Sequence, residues 1–385
     1  MKKNTLIISN NQAIFLSASI PLGALLAFSI TGQLMGHNIW IPLVISIGLG
    51  FLYTMMIKNI FQLYPEQDLM QIFQSAFGPL AKGIAFFCLL QLLFVFAAYS
   101  ISTIYFWAYI GMYNTPPYVF MLIIVMMTSL AAYYGIDAIA RISILVIIAF
   151  LILATIDTLA IYNMMKIENL FPIGPVEIKT LLIVTLQFFA RTFGVIFIIL
   201  LFFKHIEKKA KQKAPKALFL GLLIASIYYV INIFRSIFVL GDEMFLQYYH
   251  VMYVLKSLEW HTSYARLDII GITTLISAAF LFLMVNNYAN VYIGAKIFNK
   301  QDHRKAVLPI AIVEFAIFYL IYIFDLYEQG DTLAWIGVGF TAVSFLIFVI
   351  VYFRGIYLRK RDMKKNCQND CPCIYNRRKY LKNSE

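Results

Sequence analysis

Apolar residues gather in ten long runs, and the charges sit mostly in the short gaps between them. The runs fall at 12–34, 40–61, 83–110, 118–134, 142–163, 180–203, 217–240, 268–290, 307–324 and 334–353. Each is close to the ~20 residues a helix needs to cross a hydrocarbon core about 30 Å thick. Within lipid only helices or closed barrels satisfy their own backbone, and uninterrupted runs of this length predict helices. The expected fold is therefore an all-α polytopic membrane protein with about ten transmembrane helices. An even number of spans places both termini on one side.

Composition agrees with the pattern. The chain is 62% hydrophobic and 13% charged, against roughly 25% charged for a soluble globular domain. Of the 31 Lys and Arg residues, 25 lie towards one side: Lys2 and Lys3, Lys58 and Lys82, Arg141, six from Lys204 to Lys216, four from Lys296 to Lys305, and ten from Arg354 onward. The opposite gaps hold only Lys166, Lys179, Lys256 and Arg266, while Arg191 and Arg235 lie inside runs. The positive-inside rule then makes both termini cytoplasmic. Topology and anionic headgroups explain the net charge of +12, so the bilayer is the expected partner and nucleic acid is not. The first run exceeds a signal-peptide core and lacks a small-residue cleavage site, so it is expected to be retained.

A single transmembrane domain over residues 1–365, followed by a basic cytoplasmic tail over 366–385, accounts for the whole chain. Cys88 lies in a span, while Cys367, Cys371 and Cys373 fall in that tail, where thiols stay reduced. A closed zinc site wants four ligands, so these are read as free thiols, with no metal and no cofactor assigned. The longest outward gap carries Val251, Met252, Val254, Leu255 and Leu258 at near-helical spacing, which predicts an amphipathic segment at the membrane surface.

Two interruptions stand out. Span 1 has Pro21 and Gly23 at its midpoint, and span 6 has Arg191-Thr192-Phe193-Gly194 at its own. These positions correspond if 12–163 and 180–353 are two inverted copies of five spans. Proline removes an amide donor and glycine permits non-helical backbone, so each helix can open and leave polar groups facing a cavity. Paired broken helices near mid-membrane point to a small-molecule site in an inverted-repeat transporter fold, the alternative being kinks and close packing.

Arg191 near the bilayer midplane needs a partner, either an anionic group on a ligand or an internal acid or carbonyl. Asp157 in span 5 and Arg235 in span 7 lie at similar depth and are read as a structural pair in preference to a proton relay. Glu314, in span 9, is read as a weak candidate for proton coupling or a neutral packing element. Tyr99, Ser102 and Tyr105 on span 3, with Thr273, Thr274 and Ser277 on span 8, offer hydroxyls, which commonly bond their own helix. The candidate ligand-binding set is Pro21, Gly23, Ala24, Tyr99, Ser102, Arg191, Thr192, Gly194, Thr274 and Ser277. No Walker loop, HExxH or nucleophile elbow is present, so an enzyme is not expected and no catalytic residue is assigned.

Several segments together resemble the B subunit of the GerA-type spore germinant receptors, a branch of the amino acid, polyamine and organocation transporter superfamily. Tyr134-Gly135-Ile136-Asp137-Ala138-Ile139-Ala140-Arg141, between spans 4 and 5, is similar to the family's most recognisable string. Asn114-Thr115-Pro116, Asn169-Leu170-Phe171-Pro172 and Arg266-Leu267-Asp268 fall where similar motifs sit. The turn Gly36-His37-Asn38-Ile39-Trp40 departs from the pattern, with Asn38 where an acid is expected. The resemblance covers roughly residues 5–355 and implies a LeuT-like arrangement in the inner membrane of a bacterial endospore. It further implies a small nutrient germinant, such as an amino acid, and two partners, a membrane-anchored A subunit and a lipoprotein C subunit. A free-standing amino-acid permease of the same superfamily would carry the same features, as would a scaffold for partners apart from the paired breaks.

Overall fold

The computed structural model describes residues 8–23, 35–64, 67–109, 115–203, 205–206, 214–246, 250–261, 268–324 and 330–370. Span 1 is α1 (Asn10–Gly23), described as far as Gly23, and span 2 is α2 (Trp40–Leu63). A short α3 (Leu69–Phe77) precedes span 3, α4 (Ala81–Tyr109); α5 (Pro117–Tyr134) and α6 (Ile136–Ala160) are spans 4 and 5. Span 6 is split into α7 (Ile178–Phe193) and α8 (Ile199–Phe203), and span 7 is α9 (Ala214–Leu240). After α10 (His250–His261) come α11 (Asp268–Ile297), α12 (Arg304–Ile323) and α13 (Gly330–Asp370), spans 8 to 10. Among the described residues nine segments are long and apolar enough to cross a membrane, and α1 supplies part of the tenth predicted run.

Local sequence explains the joints. Gly135 has φ +93°, a conformation that L side chains rarely adopt, and it reverses the chain between α5 and α6. One turn later Arg141 donates to Asp137, which sits in the first turn of α6 where the helix dipole favours an acid. Pro117 opens α5 at a position where its missing N–H costs nothing. The amphipathic segment foreseen after span 7 is present as α10, with Val251 and Val254 buried.

The α3 helix was not foreseen, because nine amphipathic residues vanish inside a gap between long apolar runs. It opens with a capping box, Asp68 accepting from the Gln71 amide at 2.9 Å while the Gln71 side chain accepts from the Asp68 amide at 2.9 Å. Asp68 is buried, and its Oδ2 also meets Lys296 Nζ at 3.2 Å and accepts from Tyr292 Oη at 3.4 Å. This ties α3 to the end of α11 at the predicted inner face. At the other end α13 runs beyond the expected 353, into the segment read as a tail. Cys371 and Cys373 lie outside the described residues.

Helix contacts repeat between the two halves. Exchanging each span of the first five with its counterpart in the second five turns α1·α9 into α7·α2, and both are extensive interfaces. The same exchange relates α1·α6 to α7·α13, α11·α6 to α4·α13, and α11·α5 to α4·α12, all of which are formed. The 5+5 arrangement expected from the paired interruptions is therefore present. The α1·α9 contact is close because Gly221 lacks a side chain; a Cβ there would fall 2.3 Å from the Ile14 carbonyl oxygen.

Polarity runs inside out. Leu130, Leu145, Leu159, Leu308, Ile312, Leu346 and Phe353 are exposed on the outer surface. Gln91, Asn286, Asn287, Asn290 and Glu314 are buried among helices. An apolar belt around a core that also holds clusters of buried amides and an acid suits lipid as the solvent.

At the predicted outer face, loops are tied side by side. His37 bonds through Nδ1 to the Asn169 carbonyl at 2.8 Å and through Nε2 to Asp242 Oδ1 at 2.7 Å. Asn169 donates to the Phe238 carbonyl at 2.9 Å, and Asn38 donates to the Gly174 carbonyl at 3.2 Å. With Asn38 in place of an acid, the turn meets the acid of a neighbouring loop, Asp242, through His37.

Candidate ligand-binding site

The interruption of span 6 follows directly from its sequence. Helix α7 ends at Phe193, Gly194 and Val195 form a turn, Ile196–Ile198 make a 3-10 turn, and α8 resumes at Ile199. The carbonyls released there need donors, since lipid offers none. Tyr99 Oη on α4 donates to the Arg191 carbonyl at 2.7 Å, and Gln91 Nε2, two turns away on the same helix, donates to the Gly194 carbonyl at 3.1 Å. On span 1, Tyr229 Oη from α9 donates to the Pro21 carbonyl at 2.8 Å. Side chains from other spans thus serve the split of span 6 and the last described turn of span 1, whose predicted break extends past Gly23 and outside the described residues.

These groups form one centre. Thr192 lies beside Tyr229, and Tyr229 in turn is within electrostatic reach of Tyr99. Arg191, half-buried in the last turn of α7, places its charge near the Tyr99 hydroxyl. Phe282 from α11 closes the floor, its ring centroid 4.8 Å from that of Tyr99. A Cβ on Gly23 would sit 2.1 Å from Phe282 Cβ, and one on Gly194 would sit 2.4 Å from Thr341 Oγ1. Both glycines belong to the candidate ligand-binding set, as residues that let their helices open. In the fold their open sides are filled by Phe282 and Thr341, so they shape the wall through helix packing.

The remaining candidates separate. Ser102 donates to the Ala98 carbonyl at 3.0 Å and Ser277 to the Thr273 carbonyl at 2.7 Å, each within its own helix. Thr274 is buried and Tyr105 is exposed. Ala24 lies outside the described residues. Gln91 and Tyr229 were missed because one glutamine and one of 25 tyrosines carry no signal of their own; only the positions of the two breaks make their donors necessary.

Two further polar clusters lie away from this centre. Near the predicted outer end, Arg235 donates to Asn232 Oδ1 at 2.9 Å and to Thr158 Oγ1 at 3.5 Å. The expected pairing with Asp157 is corrected accordingly: the two helices do meet, but the guanidinium bonds the neighbouring hydroxyl and acts on the carboxylate through space. His250, buried at the start of α10, is pushed down to about 4 by desolvation and then by the Arg235 charge, so it is neutral at pH 7. The second cluster surrounds Glu314, whose two carboxylate oxygens accept from Asn290 Nδ2 at 2.8 Å and Asn287 Nδ2 at 2.9 Å.

A bundle of this topology with a split sixth span defines a class of fold, the LeuT-like fold. Solved structures agree: a point mutant of the Eremococcus coleocola manganese transporter aligns with TM-score 0.52 at 11% identity, covering 91% of this chain and 77% of that one. A Na+-coupled sialic acid symporter in its substrate-bound outward-open state aligns with TM-score 0.51 at 12% identity, covering 88% and 78%. No curated protein matches in sequence. The chain belongs to the spore germination protein family, whose model matches residues 7–326.

Proposed function

We propose that this chain is the integral-membrane B subunit of a spore germinant receptor, which binds a small nutrient such as an amino acid and so triggers germination. The observation that carries the reading is the split of span 6 at Gly194, with α7, which carries Arg191 in its last turn, packed against α1. Broken helices turn polar backbone towards the bundle interior, and a guanidinium there offers charge-assisted bonds to a carboxylate. Arg191, Thr192, Tyr99 and the Pro21 region form the contact set; Gly23 and Gly194 set its shape. Ser102, Thr274 and Ser277 are kept as outer contacts on spans 3 and 8. The partners are an A subunit and a lipoprotein C subunit, the membrane is the spore inner membrane, and both termini are cytoplasmic.

The test is germination of spores lacking this gene against a panel of nutrients. Loss of response to one nutrient class, restored by the gene in trans, is the expected result. Unaltered germination on every nutrient, with the deletion instead abolishing uptake in growing cells, would make the chain a free-standing permease.

A further inference from the structure

The loop that joins the two halves, 162–178, turns five large apolar side chains outward. Tyr162, Ile167, Phe171, Ile173 and Ile178 are between 50% and 73% exposed. A concentration of that kind marks an interaction surface. The same loop contains Asn169-Leu170-Phe171-Pro172.

Hydrogen bonds fix the depth of this loop. The Lys166 amide donates to the Phe238 carbonyl at 2.9 Å, and Asn169 Nδ2 donates to the same oxygen at 2.9 Å. Phe238 belongs to span 7, just before α9 ends at Leu240. His37, which bonds the Asn169 carbonyl, lies in the short turn that leads into span 2. Leu170 and Val176 pack on the core and hold the backbone down. The loop therefore lies level with the ends of its neighbouring spans, in the layer where hydrocarbon gives way to headgroups.

Its apolar side chains also continue the lipid-facing surface on both flanks. On α6, Ile152, Ile156 and Leu159 are exposed at helical spacing, and Tyr162 extends that stripe into the loop. On α7, Ile178 begins a stripe that Leu182 and Leu186 carry down the span. Lys166 and Lys179, two of the four basic residues in the outward gaps, are exposed beside the patch. Long side chains so placed keep their stems in apolar surroundings and their charges among headgroups.

We propose that loop 162–178 is an interfacial anchor that binds the phospholipid surface, with Ile167, Phe171 and Ile173 inserted among the headgroups and Lys166 and Lys179 at its edge. Because the loop leads straight into α7, the anchor holds the first half of the split span against the bilayer. The inference rests on the membrane-spanning fold and requires neither the nutrient reading nor the choice of which face is outer.

The experiment uses the full chain in vesicles of phosphatidylcholine and phosphatidylglycerol, carrying Cys367→Ser, Cys371→Ser and Cys373→Ser. Cys88 is fully buried in α4 and is left in place. A nitroxide label is attached in turn at Ile167→Cys, Phe171→Cys and Ile173→Cys. Its collisions with oxygen, which concentrates in lipid, are compared with its collisions with a water-soluble nickel chelate. Leu182→Cys on α7 gives the lipid reference and Gln301→Cys, between α11 and α12, the water reference, both positions being exposed. The three loop labels are expected about 5–10 Å into the boundary, with an oxygen-to-nickel ratio several-fold above that at Gln301→Cys. Glu168→Cys, about 120° from Ile167 around a 3-10 turn, is expected to match the water reference. If one label prevents folding, the other two positions decide. Ratios equal to the water reference at the loop positions overturn the proposal and leave the patch to a protein partner, which the vesicles lack. A ratio at Ile167→Cys no higher than at Glu168→Cys overturns it as well, because the loop would then have no lipid-facing side.

Discussion

At the scale of single residues, the interior is governed by backbone carbonyls that would otherwise be unsatisfied. Tyr229→Phe removes the donor to the Pro21 carbonyl and leaves that oxygen buried. The expected cost is about 1–3 kcal/mol, read as a lower unfolding midpoint, and an unchanged midpoint would show that the bond contributes nothing. His250 gives a pH signature. Its folded value, about 4, lies below the ordinary 6.5, so the unfolded chain binds the proton more readily. Stability should therefore fall as pH drops from about 6.5 towards 4, and His250→Gln should flatten that slope. An equal slope in the variant would remove His250 as the cause. Arg191 was legible from sequence because a charge in an apolar run is rare. Asn286, Asn287 and Asn290 were not, because neutral amides hardly disturb a hydropathy profile.

At the scale of elements, glycine sets how closely the spans pack. Gly23 meets Phe282 with no room for a methyl group, so Gly23→Ala should destabilise by about 1–3 kcal/mol through overpacking. Combined with Phe282→Ala, which opens that space, it should cost less than the sum of the two single losses. A purely additive double variant would show that the two residues do not share the space. The spans themselves could be read from the sequence, since each is a long apolar run with its charges at the ends. The split of span 6 was equally readable from Arg191 to Gly194. By contrast α3 escaped notice because it is short, and the extension of α13 escaped because a basic, polar helix looks like a solvated tail.

At the scale of the whole molecule, the repeated pattern of helix contacts makes two halves meet around one polar centre, with a lipid-facing exterior. The orientation proposed from the distribution of Lys and Arg is checked by cysteine labelling in vesicles of known sidedness. A cysteine at Gln301, in the segment between α11 and α12, should be reached from the cytoplasmic side, and one at Gly174 from the outer side. Labelling in the reverse sense would invert the topology. Removal of residues 366–385 should leave subunit level and response nearly intact, and loss of response at normal level would give the tail cysteines a role. The central claim is that a nutrient's anionic group is gripped beside the split of span 6. Germination dose-response curves for Arg191→Ala spores, with an immunoblot of the same spores, test it most directly. Loss of a charge-assisted bond worth about 1.5–3 kcal/mol should raise the half-maximal nutrient concentration by roughly tenfold or more at near-normal subunit abundance. Unchanged sensitivity at normal abundance would contradict the account.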